Sequence, residues 1–285
     1  MSETFLNINN NWRSLSQAYV NVQGSWREAD VYVNVNGTWK LVSLKRTTVT
    51  GGVNFDLFGN LLPHVGGASN IEITLTGTFQ ASTTSNVALA LGTHFAGRKV
   101  KIINNALILG KEGAGGPGGH GIKNNNGTGH ATNGHGGGAG GTALWINPSH
   151  GCKRLELYNT SGGRIYAGGG GGGGGGGSWG QRRNDGDRHQ FVGSGGHGGR
   201  GAGSGGYAAG GAGGSGRETA RGGAGGHGGN YGAAGAGGGR GFSIMQFPKL
   251  GSGGAGGTAG IAIHNVGSIA LTGYRDTSYI IGRRI

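Results

Sequence analysis

The sequence predicts a protein in two parts: a mainly β framework, and a sandwich of packed left-handed glycine helices, with essentially no α-helix. Ten consecutive glycines run from Gly168 to Gly177, and on both sides glycines recur with a period of three, as in residues 113–121 and 193–201. Outside the glycine-rich part, apolar residues alternate with polar ones, as in residues 71–76, which is typical of strands.

A period of three is that of the extended left-handed helix that collagen uses, which forms no hydrogen bonds within itself. Neighbouring helices of this kind can pair their N–H and C=O groups only where no Cβ keeps the backbones apart. The glycines from Gly168 through Gly172 to Gly177 therefore suit a central helix enclosed by others. Collagen itself is excluded, because the chain has only 4 Pro and its glycine runs are interrupted.

The number of glycine runs predicts the path of the chain. If successive runs are antiparallel, their connections alternate between a near end, beside the β framework, and a far end. An even number of runs then returns the chain to the framework, where strands resume. The eight runs lie near residues 113–121, 134–141, 167–177, 193–203, 208–216, 222–230, 235–241 and 251–260. The far-end connections are residues 122–133, 178–192, 217–221 and 242–250.

The first part of the chain carries a short repeat in which alternating Val residues precede a tight turn and a Trp. This pattern predicts small hairpins. We interpret Trp12, Trp26 and Trp39 as the little core of a β module, with sugar stacking as the alternative. The expected segments are the hairpin module 1–45, a β-rich attachment region 46–110, the glycine sandwich 111–260 and returning strands 261–285.

The far-end connections combine aromatic and basic residues, which is what a recognition surface needs, since it offers apolar contact area together with multidentate donors. The alternative is that these loops collect side chains that cannot fit between glycine helices. The candidate recognition residues are Trp179, Arg182, Arg183, Arg188, His189, Phe191, Arg217, Arg221, Phe242, Met245 and Phe247.

No catalytic, cofactor or metal site is expected. Gly-x-Gly-x-x-Gly occurs many times, but never after a strand with an acidic residue placed for a ribose. Asp185 and Asp187 share a loop with several Arg residues and are interpreted as surface groups. The single Cys152 excludes an intrachain disulfide framework. The histidines within glycine triplets have structural or solvent-facing roles, with a stacked ladder as the alternative: His120, His135, His197 and His227.

The charge balance favours anionic partners, because the formal net charge is +13 and the isoelectric point is near 10.3. Nucleic acid is not the expected partner, since Arg221-Gly222-Gly223 alone resembles an RNA-binding Arg-Gly-Gly unit. An ice-binding protein of stacked glycine helices would need a flat Thr/Ala-rich face, whereas His, Arg and Tyr occupy many positions here. No signal peptide or membrane-spanning run is expected, so we expect the product to be made in the cytoplasm and not to insert into membranes.

Residues 98–260 resemble a known family. The segment Val100–Asn105 leads into Gly113-Ala114-Gly115-Gly116 and then into glycine runs separated by loops. This arrangement is similar to that of the glycine-rich receptor-recognition adhesins at the tips of phage long tail fibres, best known from the T-even phages. The resemblance implies a polyglycine II sandwich on the virion, at the tail-fibre tip. Its distal loops would touch an outer-membrane protein or lipopolysaccharide, and its amino-terminal part would hold the phage tail-fibre protein.

Overall fold

The computed structural model describes residues 5–8, 11–14, 18–29, 31–41, 44–65, 70–184, 187–205 and 220–285. Three antiparallel hairpins begin the chain. They pair β1 (Phe5–Ile8) with β2 (Asn11–Ser14), β3 (Ala18–Val22) with β4 (Ser25–Ala29), and β5 (Tyr32–Val35) with β6 (Thr38–Leu41).

The second and third hairpins use the same turn. Gln23 and Gly24 have φ angles of 53° and 83°, and Asn36 and Gly37 have 51° and 79°. Two consecutive positive φ values give the turn whose twist matches that of the flanking strands. The side-chain oxygen of an Asn three residues earlier accepts a hydrogen bond from the turn glycine at 2.9 Å in both hairpins. The sequence repeat is thus a structural repeat.

The tryptophans of these hairpins do not form the expected core. Trp26 and Trp39 are 71% and 67% exposed, and the side chain of Trp12 lies outside the described residues. Each of these hairpins is a separate two-stranded sheet. Two strands are too few to enclose an indole ring, and the tryptophans therefore stay exposed. The interpretation of Trp26 and Trp39 as core residues is therefore wrong.

The remaining elements form a parallel framework and the connections between glycine runs. They are β7 (Leu44–Val53), β8 (Phe55–Asp56), α1 (Leu57–Val65), β9 (Asn70–Gln80), β10 (Leu89–Leu91), β11 (Lys99–Asn104), β12 (Leu107–Leu109), β13 (Gly121–Lys123), β14 (Gly129–Ala131), β15 (Leu144–Ile146), β16 (Arg154–Asn159), β17 (Arg164–Tyr166), β18 (Ser178–Asn184), β19 (Asp187–Gly193), β20 (Ala220–Arg221), β21 (Phe242–Ser243), β22 (Lys249–Leu250), β23 (Ile261–His264), a 3₁₀ turn (Val266–Ser268), β24 (Ala270–Gly273), β25 (Ile280–Ile281) and β26 (Arg283–Arg284).

The framework is a stack of parallel coils. One sheet has the order β24-β16-β11-β9-β12-β17-β25, with β7 also paired to β9, and a second has the order β26-β23-β15-β10-β8. All these pairings are parallel, so each coil of chain repeats the path of the coil below it. Strand β9 is long enough to pair with β11 along residues 70–75 and with β12 along residues 78–80. The next coil thus has two short strands where β9 is one long strand.

Apolar side chains fill the space between the two sheets, among them Ile71, Phe79, Leu89 and Ile102, each at most 1% exposed. A buried asparagine pair fixes one corner of successive coils. Asn104 Nδ2 donates to Asn159 Oδ1 at 2.8 Å, and Asn159 Nδ2 donates to the carbonyl of Tyr274 at 2.8 Å. The corner thus satisfies its buried polar groups from one coil to the next.

One helix occurs among the described residues, and the sequence pattern did not predict it. Asp56 begins it, because its carboxylate accepts the N–H of Gly59 at 3.2 Å, and Pro63 lies in its last turn. Leu57, Phe58 and Leu61 are buried on its inner side. At nine residues it is too short to show a clear helical period. The expectation of little α-helix agrees with a mainly β structure.

The glycine runs are two insertions in successive coils. Residues 110–141 lie between β12 and β15, and residues 167–260 lie between β17 and β23. We name the described runs g1 (110–120), g2 (132–141), g3 (168–177), g4 (194–203), g5 (222–230), g6 (233–241) and g7 (251–260). The run expected near residues 208–216 lies outside the described residues.

Hydrogen-bond registers between runs give their directions. Gly113 and Gly116 donate to Gly169 and Gly172, so g1 is parallel to g3, and by the same reasoning g6 is also parallel to it. Runs g2, g4, g5 and g7 are antiparallel to g3. As the residue numbers rise along g3, the residue numbers of its hydrogen-bond partners in these runs fall. Consecutive described runs therefore alternate in direction, from g1 to g2, from g3 to g4, and from g5 through g6 to g7.

Run g3 is the centre of the packing. Every N–H from Gly168 to Gly177 donates to a neighbouring run, in the repeating order g2, g4, g6, and every C=O accepts from g7, g1 and g5 in turn. Each pair of adjacent outer runs is also joined by hydrogen bonds, which closes a ring of six around g3. A Cβ at Gly172 would overlap the carbonyl of Gly226, and equivalent overlaps occur along the whole of g3.

Side chains recur at every third residue in four of the outer runs, g1, g4, g5 and g7. In g1 the exposed positions are Ala114, Pro117 and His120, and in g4 they include His197 and Arg200. His120 Nδ1 lies 3.3 Å from the hydroxyl of Ser194 on g4. The period of three in the sequence is thus the period with which these four runs turn one residue to the surface, whereas g2 and g6 expose two residues of every three.

A buried carboxylate ties the near end of g4 to g1. Glu112 is 6% exposed; its Oε1 lies 2.9 Å from Lys111 Nζ, and its Oε2 accepts the N–H of Gly205 at 2.8 Å. Burial alone would raise the pKa of Glu112. Hydrogen bonds from Lys111, from its own N–H and from Gly205, with the charge of Lys111, together lower this pKa below its ordinary value.

Substituting alanine at the centre should be far more damaging than at the rim. We expect Gly172→Ala to cost about 3 kcal/mol or more, because separating g3 from g5 leaves two or three buried backbone groups unpaired at about 1–3 kcal/mol each. The control is Gly136→Ala, whose Cβ would meet only the carbonyl oxygen of Ala255, at 3.5 Å. Denaturant unfolding measures both. Equal stability of the two variants would contradict the packing.

The Glu112 contacts should make stability depend on pH. A carboxylate whose pKa is lowered by folding contributes stability above its ordinary pKa, near 4.5, and loses it as the pH falls through the lowered value. We expect Glu112→Gln to be less stable than the parent at neutral pH and the difference to shrink in acid. Thermal unfolding from pH 7 to about pH 3 measures it. A difference that does not change with pH would contradict this role.

Candidate functional site

The described connections at the far end of the glycine runs form one surface, which we call the far-end surface: residues 121–131, 178–184, 187–193, 220–221 and 242–250. Strands β13 and β14 pair as a hairpin, and β19, β18 and β22 form a sheet in that order. Strand β20 pairs with β21 through Ala220↔Ser243 and Arg221↔Phe242. Three connections that are distant in sequence are therefore joined by backbone pairing, and the β13–β14 hairpin is held beside them by the hydrogen bond from Gln190 Nε2 to the carbonyl of Asn124.

Trp179 holds this surface together. The side chain is only 4% exposed, and its Nε1 donates to Gln190 Oε1 at 3.1 Å. A Cβ at Gly129 on β14 would overlap the indole ring, so that glycine allows the hairpin to lie against it. The structure thus corrects the expectation that Trp179 offers contact area to a receptor. It positions the loops, because an indole between two hairpins is enclosed by both.

Apolar side chains are exposed on the same surface. Phe242 and Phe247 are 53% and 51% exposed, as the sequence analysis expected of contact residues, while Phe191 and Met245 are half-buried. The structure adds Ile244, which is 66% exposed. The sequence analysis missed this residue because, apart from Met245, it selected aromatic and basic residues and passed over the aliphatic ones. The sequence feature that could have identified Ile244 is its position within a far-end connection, residues 242–250.

The basic residues accompany this apolar patch. Arg182, His189 and Arg221 are exposed on β18, β19 and β20. Arg183 lies opposite Arg188 in the register of β18 and β19, but their side chains lie outside the described part of the chain. Arg217 also lies outside it. Among the far-end side chains that the structure describes, none is a carboxylate. The described surface is therefore cationic as well as apolar.

A pocket of about 330 Å³ opens on this surface, lined by Lys123, His189, Gln190, Phe191 and Val192.

Within the described ranges, no group of three or more His, Cys, Asp or Glu side chains could hold a metal ion. The thiol of Cys152 is half-buried, and its desolvation raises the pKa to about 11. No helix among the described residues is long and apolar enough to cross a membrane.

The near end presents a different environment. Tyr231 stacks on Tyr166 of β17, with ring centroids 5.0 Å apart, and Gly232 donates to the carbonyl of Ala167 at 3.0 Å. The turn between g5 and g6 is therefore packed on the framework. Tyr207, the other tyrosine expected on a near-end turn, lies outside the described residues.

Comparison with known proteins identifies the family. The family model for the phage tail fibre adhesin Gp38 matches residues 4–285. The chain belongs to this family. The adhesin is thus a receptor-binding protein of a phage tail fibre that serves attachment to the host cell. A solved structure, the gp37-gp38 adhesin tip complex of the bacteriophage S16 long tail fibre, matches the adhesin at 18% identity. The match covers 86% of this chain and 84% of the chain in that structure, with a TM-score of 0.44. No curated protein sequence matches the adhesin.

Proposed function

We propose that the adhesin binds its receptor with the far-end surface, from a position at the tip of the tail fibre. The observation that carries this proposal is the convergence of exposed apolar and cationic side chains on one surface, three of whose connections are joined by strand pairing. In protein interfaces a few residues, enriched in aromatic side chains and Arg, contribute most of the binding free energy. An outer-membrane protein and lipopolysaccharide are the candidate receptors, since both present anionic groups at the bacterial surface.

The contact residues proposed are those that the structure exposes. Phe242 and Phe247, with Ile244, supply apolar area, and Arg182 and Arg221 engage acidic groups. His189 and Phe191 contribute as lining of the pocket, and half-buried Met245 lies against Gly180 of β18. Arg183, Arg188 and Arg217 stay in the proposal on their sequence positions. Trp179 is assigned to support.

We propose that the glycine runs are polyglycine II helices, forming a sandwich within residues 111–260. The support is the hydrogen bonding of g3, which repeats every three residues toward six neighbours, and the overlap that any Cβ would cause there. At about 3.1 Å per residue, a ten-residue run would hold the far-end surface roughly 30 Å beyond the coils. A receptor site on such a lattice is rigid, because every inner backbone group is fixed.

Attachment to the fibre is assigned to the other end of the molecule. The hairpin module 1–45 and the coils of 46–110 would bind a tail-fibre protein, with the strands of 261–285 closing the framework. Trp26 and Trp39 lie exposed at equivalent positions of two like hairpins, and Val20, Tyr32 and Val33 are also exposed there. Large exposed apolar groups in repeated positions indicate a surface that a partner covers.

Alanine substitutions at the far end should weaken adsorption. We expect Phe242→Ala, Phe247→Ala or Arg221→Ala to lower affinity for host cells at least tenfold in one or two cases, since truncating an anchor costs about 2 kcal/mol or more. Tyr231→Ala is the near-end control and should leave adsorption unchanged. Binding of the purified, folded variants to host cells measures this. Lost binding in the control with normal binding in all three far-end variants would place the site elsewhere.

Removing the hairpin module should separate assembly from recognition. We expect a chain without residues 1–45 to be absent from virions yet to bind host cells normally, because the far-end surface is untouched. Immunodetection of the adhesin on purified particles measures incorporation, and cell binding of the free chain measures recognition. Particles that carry the shortened chain at the parental level would contradict this assignment.

A further inference from the structure

Strand β19 forms an edge of the far-end sheet. Strand β18 pairs with one side of it, and no strand among the described residues pairs with the other. In an antiparallel pair, alternate residues turn their N–H and C=O groups away from the partner strand. An open edge of this kind can pair with an extended chain that lies beside it.

The far-end pocket lies along this edge. Four of its five lining residues are consecutive in β19, from His189 to Val192, and Lys123 of β13 completes the lining. Since successive side chains of a strand point to opposite faces, a pocket lined by four consecutive residues follows the edge of the strand and not one face. Its length along β19 suits a short extended segment.

Hydrogen bonds fix the wall of this pocket before any ligand enters. Gln190 accepts from Trp179 Nε1 at 3.1 Å and donates through Nε2 to the carbonyl of Asn124 at 3.2 Å. Asn124 in turn donates its N–H to the carbonyl of Thr128 at 2.8 Å, which closes the loop of the β13–β14 hairpin. The strand and the hairpin are therefore held at a set separation, which lowers the ordering cost of binding.

The chemistry of the lining selects an acidic and partly apolar occupant. Lys123 and His189 supply positive or donor groups, and Arg182 lies opposite His189 in the strand register. Phe191 and Val192 supply apolar surface beside them. A saccharide phosphate could pair with Lys123, but it lacks backbone donors and acceptors with the spacing of a strand. A peptide has both.

We propose that the edge of β19 binds an extended acidic peptide segment of the receptor as an added strand. The proposal rests on the receptor-binding role assigned to the far-end surface and makes the receptor a protein. A surface loop of an outer-membrane protein, with an acidic side chain toward Lys123 and an apolar one toward Phe191, is the occupant that fits.

Hydrogen–deuterium exchange of the full-length adhesin tests the proposal. The probes are outer-membrane proteins in detergent, freed of lipopolysaccharide, and purified lipopolysaccharide, both from a strain to which the phage adsorbs. We expect the proteins to slow exchange in residues 187–193 and lipopolysaccharide to leave it unchanged. Lys123→Glu should weaken binding of the proteins at least tenfold, whereas Lys249→Glu, on the opposite edge strand, should change it less than about twofold. Lys123→Gln serves if the reversed charge disturbs folding.

The outcomes separate this proposal from the receptor-binding role. Slowed exchange elsewhere on the far-end surface, with residues 187–193 unchanged, would overturn strand addition and leave that role intact. Protection by lipopolysaccharide and not by the proteins would also overturn the peptide assignment. If neither probe protects any far-end residue while cells still bind the adhesin, the receptor-binding role of this surface fails as well.

Discussion

The structure depends on backbone hydrogen bonds that form only because Cβ atoms are absent. Run g3 has six neighbours and no side chain, so each of its peptide groups faces another backbone. Glycine loses more conformational freedom on folding than any other residue, and a glycine lattice buries little apolar area to offset that loss. Its order must come from satisfying every inner N–H and C=O together. A single unpaired group therefore affects several runs.

The coils of the framework supply what the lattice lacks. Their strands enclose an apolar core, and the two insertions leave from one face of a coil and return to another. Because both ends of the first insertion lie on the framework, it contains an even number of runs, g1 and g2. In the second insertion, Gly205 lies at the near end beside Glu112 of g1, whereas Ala220 lies at the far end. The described runs g4 and g5 accordingly share a direction.

Sequence reasoning succeeded where one residue type imposes the geometry. The period of three and the glycines from Gly168 to Gly177 identified the central run. The parity of the runs grouped four connections, of which the structure joins three by strand pairing. It failed where the outcome depends on distant neighbours. The helix α1 depends on a cap at Asp56 and on burial against strands, and the parallel stacking of coils leaves only short apolar stretches in the sequence. Exposure of Trp26 and burial of Trp179 follow from which elements pack nearby, which residue type alone does not determine.

With the far-end surface as the proposed receptor site, the separation of glycine runs and loops would allow one scaffold to serve different receptors. A substitution in g3 displaces backbone from backbone, whereas Ile244 or Phe242 on the far-end surface contacts mainly solvent. Between these extremes lies Trp179, whose indole holds β18 against the β13–β14 hairpin and fixes Gln190 beside the pocket. Changes of specificity should therefore accumulate at exposed far-end positions and spare Trp179 and the glycines beneath it. The residue that looks most like a receptor anchor in the sequence is the one that keeps the surrounding loops in register.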